Sequence, residues 1–400
     1  MSTGVINVGN IEEVIVVGGG IGGLAAAYGV AKLGKSVTVI EQAPEFGEVG
    51  AGLQVGPNGL RALDALGVLE EVYKLAVFPR RHVFMDALDG KELSAVQFGD
   101  SFKEKFGYPY IVIHRTDLHS VLLKACQSLP NVSFLTNHRL ASVEEHADYV
   151  ELQCENGAVL RAQMVVGADG IRSVVRNLIG PSQLVASRYV AYRFTVPMEK
   201  MTTNIDWDEK LTWIGPGIHL VQYPVRHKSV INQVAVFESP NYSENSDDWG
   251  SIDELREMFA DCCPTIQESL KFVQEGFVSK LYDLEPIDKW STNRVTLLGD
   301  SAHAMLQYLA QGGCQALEDA VSLVEKLREN SDVAKALSEY EQERIPRAQQ
   351  VQRGARAWGE IKHAKDDVTR LLRDTIMLNR AADDYTYLEW LYKERKLTTV

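Results

Sequence analysis

Much that would narrow the function quickly is missing from this chain. Its five cysteines (Cys126, Cys154, Cys262, Cys263, Cys314) are an odd set without a CxxC pair. That argues against a disulfide framework and a zinc site, and for free thiols in a reducing compartment. There is no basic excess: 41 Lys and Arg stand against 54 Asp and Glu, a formal charge of −13. Nucleic acid and anionic membrane surfaces are therefore poor choices as main partners. The first ten residues have no basic n-region and no signal-type apolar run. The most apolar stretch, 14–33, is interrupted by glycines in a strand–turn–helix pattern, unlike a membrane span. No internal repeat or low-complexity tract is present. The expectation is a soluble, cytoplasmic protein with no metal and no membrane span, and 45% hydrophobic residues are ample for a large core.

What is present begins with "VIVVGGGIGGL" (14–24), where five glycines fall within six positions at the end of an apolar run. Ordered glycine is entropically costly, so the cluster implies a close approach that side chains would block. The β-branched run reads as a parallel strand buried on both faces. Gly18, Gly20 and Gly23 form GxGxxG and open an Ala-rich helix, and a second strand, "SVTVIE", ends in Glu41. Together these make the dinucleotide-binding fingerprint. Gly18 permits the turn, Gly20 admits a pyrophosphate, Gly23 lets helix and strand pack, and Glu41 accepts ribose hydroxyls. The motif does not separate FAD from NAD.

Two later strand ends decide the cofactor. "MVVGADGIRSVVR" (164–176) runs into Asp169, and "RVTLLGDSAHAM" (294–305) runs into Asp300. Acids at the carboxyl ends of strands lie where open α/β sheets bind ligands. In this order the three motifs resemble those of the flavoprotein aromatic hydroxylases, the single-component FAD-dependent monooxygenases.

The resemblance implies that Gly18, Gly20, Gly23 and Glu41 hold the ADP half of a bound FAD. Asp300 would bind the ribityl or adjoining ribose region, and Asp169 would contact FAD and the nicotinamide nucleotide. "HRTDLH" supplies Arg115 to the flavin's phosphate or ribityl region, and "GEVGAGLQVGPN" (47–58), with Val49, lies beside the isoalloxazine. Gly312 and Gly313 open a helix whose amides face the flavin's pyrimidine end. There is no second GxGxxG for a resident nicotinamide nucleotide, so NADH is expected as a transient co-substrate, with O2 as oxidant.

The implied fold class is α/β, a Rossmann-like FAD-binding domain with an inserted antiparallel substrate-binding sheet and C-terminal helices. The expected boundaries are 1–184 for the first part of the FAD-binding domain and 185–285 for the substrate sheet. The FAD-binding domain resumes over 286–330, and 331–400 is a C-terminal helical region. In the insert, "YVAYRFTVP", "KLTWIG", "GIHLVQYP" and "INQVAVFES" read as successive antiparallel strands, with a surface loop at 243–250 before a helix at 252–259.

Along "GIHLVQYP", His219, Val221 and Tyr223 share one face, with His219 and Tyr223 roughly 13 Å apart at about 3.3 Å per residue. That gap suits an aromatic ring with a hydrogen bond at each end, although a half-buried strand with a satisfied histidine reads the same way. Gln307 stands in a loop where many aromatic hydroxylases have proline. His219, Tyr223 and Gln307 together are similar to the branch of the family that hydroxylates 3-hydroxybenzoate para to its hydroxyl group. In that branch His219 would handle the phenol proton, Gln307 would orient the phenolic oxygen, and Tyr223 would bind the far substituent. No clear arginine clamp for the carboxylate stands out, Arg193 being one possibility, and His303 reads as structural.

Hydroxylases of salicylate and 6-hydroxynicotinate share this frame. An oxygen-independent flavin reductase and a redox-silent interaction module are the readings from other classes. The C-terminal region reads as helical, broken at Pro346. Trp358, Leu371, Leu372, Met377 and Leu378 recur at helical spacing, as a layer packed on the FAD domain or as the seam of a homodimer.

Overall fold

The computed structural model describes residues 11–47, 51–201, 205–273 and 277–393. Val49 lies outside the described residues. Three sheets organise the chain. The first has the order β7 (Val132–Leu135), β2 (Val37–Ile40), β1 (Ile11–Val17), β10 (Val159–Gly167), β9 (Val150–Cys154), β8 (Leu140–Glu145). Strand β16 (Val295–Leu297) also pairs with β10. β7, β2, β1, β10 and β16 are mutually parallel, and β9 is antiparallel to both of its neighbours, β10 and β8. The β-branched runs of β1, β2 and β10 are buried at their carboxyl ends, as a parallel sheet covered on both faces requires.

The second sheet has the order β15 (Val278–Leu284), β11 (Leu184–Pro197), β14 (Val230–Glu238), β13 (Ile218–Val225), β12 (Glu209–Gly215), β4 (Arg81–Asp86), β5 (Glu92–Gln97). The four strands expected in the insert are all there, and the 252–259 helix is found as Ile252–Met258. Two strands arrive from elsewhere. β4 and β5 lie within the stretch expected to be purely FAD-binding, and β4 pairs with β12 in parallel and with β5 antiparallel. A contiguous insert at 185–285 therefore describes only part of this sheet. Both of its faces are covered. Leu211, Trp213, Leu220 and Phe237 pack against Leu255, Phe259 and Ile266 on one side. Val221, Tyr223 and Val234 face the C-terminal helices on the other. Strands β3 (Gly52–Val55) and β6 (Ile111–His114) form a small third sheet.

Beyond residue 330 the expected break at Pro346 does not occur. One helix runs from Val333 to Lys362 straight through it. Proline frees the carbonyl four residues earlier, here that of Gln342, and both residues are exposed, so water can satisfy it. The next helix, Asp367–Leu378, packs through Arg373 and Met377. Leu371, Leu372 and Leu378, expected in a packed layer, are instead exposed, with Val368 and Ile376, at 58–69%. No helix among the described residues is long and apolar enough to cross a membrane.

Candidate active site

The glycine motif works as a close approach in three dimensions. Gly18 has φ +106°, and a Cβ there would sit 2.3 Å from the carbonyl oxygen of Ala168. A Cβ on Gly23 would sit 2.0 Å from the carbonyl oxygen of Gly18. The first contact joins the ends of β1 and β10, and the second clamps the motif's helix, Ile21–Lys32, onto the turn. The third strand end joins them, since Leu298 N donates to Gly167 O at 2.9 Å and Gly170 N to Ser301 Oγ at 2.9 Å. The three motifs thus converge at one place.

A cavity of about 710 Å³ opens there and runs to the second sheet. Gly20, Gly23, Arg115, Asp300, Gly312 and Gly313 line it, together with Gln307, His219 and Tyr223. A Cβ on Gly312 or Gly313 would meet nothing closer than 3.6 Å, so the start of the helix Gly312–Glu329 presents open backbone to the cavity. An elongated nucleotide fits this cradle, with its anionic part toward Arg115 and the motif helix's N-terminus.

Two carboxylates expected at the cofactor also brace the loops around it. The Glu41 carboxylate accepts from Gly19 N at 2.8 Å and Ala43 N at 2.9 Å, beside the turn and outside the cavity wall. Asp169 accepts from Ser173 Oγ, Ser301 Oγ, Val174 N and Val175 N. Its carboxylate shapes the loop, and the wall there is Ala168 and Gly170. His303 is structural, its Nε2 2.5 Å from Asp319 Oδ2.

At the far end His219 is 2% exposed, and its Nδ1 lies 2.7 Å from Nε2 of His363. The two rings stack at 4.8 Å, with Tyr308 edge-on to both. One proton lies in that Nδ1–Nε2 hydrogen bond, and when His219 Nδ1 donates it to His363, the Nε2 of His219 is left with a free lone pair. Burial, then Lys362, His363 and Lys210, hold the His219 pKa well below its ordinary value. It is neutral at pH 7.

Gln307 Oε1 accepts from Arg193 Nη2 at 2.5 Å, which leaves the side-chain NH2 as the group to offer a ligand. Arg193 also donates to Ser279 Oγ, so its guanidinium is committed to holding Gln307. Burial, then Arg115, lowers the Arg193 pKa to about 10. Tyr223 packs against Gly52, where a Cβ would lie 2.8 Å from its hydroxyl, and burial pushes its pKa up.

Sequence reading missed Lys210, His82, Lys362 and His363. β12 is buried along its whole length, so no alternation of polar and apolar residues marked Lys210 as facing the cavity. Lys362 and His363 stand 143 and 144 residues from His219, at the end of a charge-rich helix where a lysine reads as solvated.

A nucleotide cradle beside a sheet that presents a histidine and a tyrosine, with a glutamine from the turn after Asp300, is the arrangement of a flavin-dependent hydroxylase. The chain belongs to the flavoprotein aromatic hydroxylases, and residues 12–355 match the family described as FAD binding domain. It is similar to the 3-hydroxybenzoate 6-hydroxylase of Polaromonas naphthalenivorans (strain CJ2), with 39% identity covering 95% of each chain. The 3-hydroxybenzoate 6-hydroxylase of Klebsiella oxytoca is 37% identical over 96% of each. Among solved structures, Klebsiella pneumoniae HpxO complexed with FAD and uric acid superposes with a TM-score of 0.82 at 26% identity. That match covers 95% of this chain and 96% of that one.

Proposed function

We propose that this protein hydroxylates 3-hydroxybenzoate at the carbon para to its hydroxyl group, giving 2,5-dihydroxybenzoate (gentisate), with NADH and O2. One oxygen atom enters the ring, the other leaves as water, and NADH supplies the two electrons. Bound FAD, once reduced, supplies an electrophilic oxygen derived from O2. The observation that carries this reading is that His219, Tyr223 and Gln307 share one cavity with the nucleotide cradle. The 3-hydroxybenzoate 6-hydroxylases among its relatives support the substrate.

The protein's own part is to make the ring a better nucleophile and to aim it. A phenol is a weak donor, whereas a phenolate pushes electron density to its ortho and para carbons. Neutral His219 accepts the phenol proton at the nitrogen facing the cavity, and His363 takes the hydrogen bond on the other side. The Gln307 NH2, held by Arg193, donates to the phenolic oxygen, and Tyr223 donates to the substituent at the other end. The apolar wall of Val221, Val234 and Phe277 keeps water from the reacting carbon.

Purified yellow protein given NADH and a panel of hydroxybenzoates, salicylate and 6-hydroxynicotinate tests the reaction. Gentisate from 3-hydroxybenzoate, with matching oxygen uptake, is the expected product. NADH oxidation that no aromatic acid stimulates would remove the hydroxylase reading.

We extend the proposal to a homodimer seamed along the exposed face of the Asp367–Leu378 helix. Its row of five large apolar side chains is more than a monomer surface ordinarily leaves open. Light scattering is expected to return twice the chain mass, and a monomer mass would overturn this seam. Five free, buried thiols suit the reducing cytoplasm.

A further inference from the structure

The cavity wall is cationic in a chain that is acidic overall. Among the described residues it carries Arg115, Arg193, Lys210, Lys362 and Arg380 against one carboxylate, Asp300. Arg115 and Asp300 belong to the flavin end, and Arg193 holds Gln307. The other three gather at the opposite end. Lys210 and Lys362 are each 3% exposed, and no carboxylate among the described residues pairs with either.

Lys210 Nζ lies 2.7 Å from His82 Nε2, which also meets Thr212 Oγ1 at 2.9 Å. Lys362 Nζ stands 5.4 Å from the centre of the Tyr308 ring. Arg380 spends one Nη2 bond on Ser94 and rests on the Tyr387 ring at 4.1 Å, and its buried Nε has no partner.

Ammonium groups buried without counter-charge are among the costliest arrangements a protein interior holds. Burial pushes the Lys362 pKa down to about 7, and burial followed by Lys362 pushes that of Lys210 well below its ordinary value. Besides burial, the charges of both lysines lower the pKa of His82 and of His219. A ligand that brings a negative charge to this spot removes the penalty.

We propose that Lys210 and Lys362, backed by Arg380, form the subsite that takes the carboxylate of the aromatic substrate. The proposal rests on the hydroxylation assigned above and adds what selects its substrate. Across β12 and β13, Leu211 pairs with Gln222, so Lys210 lies alongside Tyr223, at the end of the strand away from His219. A ring bearing a phenol and a carboxylate meta to each other thus meets two anchors of unlike chemistry. The neutral imidazole holds the phenol, Lys210 beside Tyr223 receives the carboxylate, and Lys362, next to His363, adds its charge from the His219 side. The two anchors together fix the line from phenol to carboxylate across the cavity, which narrows the ring carbons that can face the flavin end.

The test uses the FAD-loaded protein and its K210M and K362M variants. Methionine keeps the unbranched bulk and removes the buried charge, so the fold is retained and the ligand-free melting midpoint is expected to rise. Dissociation constants are read from the flavin absorbance change for 3-hydroxybenzoate and its neutral isostere 3-hydroxybenzamide. The wild type is expected to prefer the acid strongly. Each variant is expected to weaken acid binding by roughly 30-fold or more, the scale for losing one partner of a buried charge pair, while amide binding barely changes. An acid-to-amide ratio unchanged in both variants would overturn the subsite. So would a wild type that binds acid and amide equally, or binds neither. Lysine-dependent acid binding without conversion of 3-hydroxybenzoate would keep the subsite and discard the reaction.

Discussion

Replacing His219 with alanine is expected to slow hydroxylation by about 10²–10⁴-fold, the usual contribution of a positioned general base. Flavin content should stay at the wild-type level, because His219 stands on β13 of the second sheet whereas the glycine cradle is built on the first. The expected signature is uncoupling: NADH consumption and oxygen uptake continue, and hydrogen peroxide replaces gentisate. The pH profile carries the sign. Burial, Lys362, His363 and Lys210 lower the pKa of His219, so it is neutral and able to accept a proton throughout the range above its ordinary value. The wild-type hydroxylation step should therefore show no loss of rate between pH 8 and about 6.5, the ordinary histidine value. Its acid limb belongs at lower pH. A variant that keeps full coupling of NADH to product, or a wild-type limb centred at the ordinary histidine value, would remove His219 from proton handling.

Asp319→Asn is expected to be the most damaging single change outside the cavity. Asp319 is fully buried on the helix that begins at Gly312. It accepts from Gly299 N at 3.0 Å, from Arg344 Nε at 2.7 Å, and lies 2.5 Å from His303 Nε2. Arg344, also fully buried, pairs with Glu318 at 2.7 Å, and Asn58 donates to Glu318 at 2.5 Å. This network ties the Gly299–Asp300 turn, the flavin-facing helix and the long C-terminal helix into one unit.

Removing one charge leaves Arg344 buried with less compensation, a change that costs about 3–5 kcal/mol when a buried pair is broken. Loss of flavin should accompany the fall in melting temperature, because Asp300 and Gly312 are positioned by the same bonds. Burial alone would raise the Asp319 pKa, but His303 and Arg344 outweigh it and hold the carboxyl at about 2. A carboxyl lowered from 3.8 contributes stability that is complete above its unfolded value and drains away as pH falls through 2. The shift is worth about 2 kcal/mol at one to two pKa units. The asparagine variant should lose that portion of the acid dependence in a melting series. An unchanged midpoint, with flavin retained, would show that the network is not what holds the turn.

The cofactor end of this protein was legible because its determinants are local. A strand, a glycine turn and a helix follow one another within twenty residues, and only glycine tolerates the 2.0 and 2.3 Å approaches at Gly23 and Gly18. The same holds for His219, Val221 and Tyr223, which share a face because strand side chains alternate. Glu41 and Asp169 show the limit of that reading. Their positions were visible, but not that their carboxylates accept from the backbone of the motifs themselves, Gly19 N and Val174 N.

The substrate end was decided by the tertiary structure. β4 and β5 join the second sheet from more than eighty residues upstream of β11, and His82 meets Lys210 only because β4 pairs in parallel with β12. Lys362 and His363 reach His219 because the Val333–Lys362 helix continues past Pro346 and ends against β13. A lysine at a helix terminus is ordinarily solvated, and nothing local distinguishes one that is buried. Its burial is a property of what packs around it, so the chain's order could announce the flavin cradle, whereas the charges that receive the substrate emerge only when distant segments close over them.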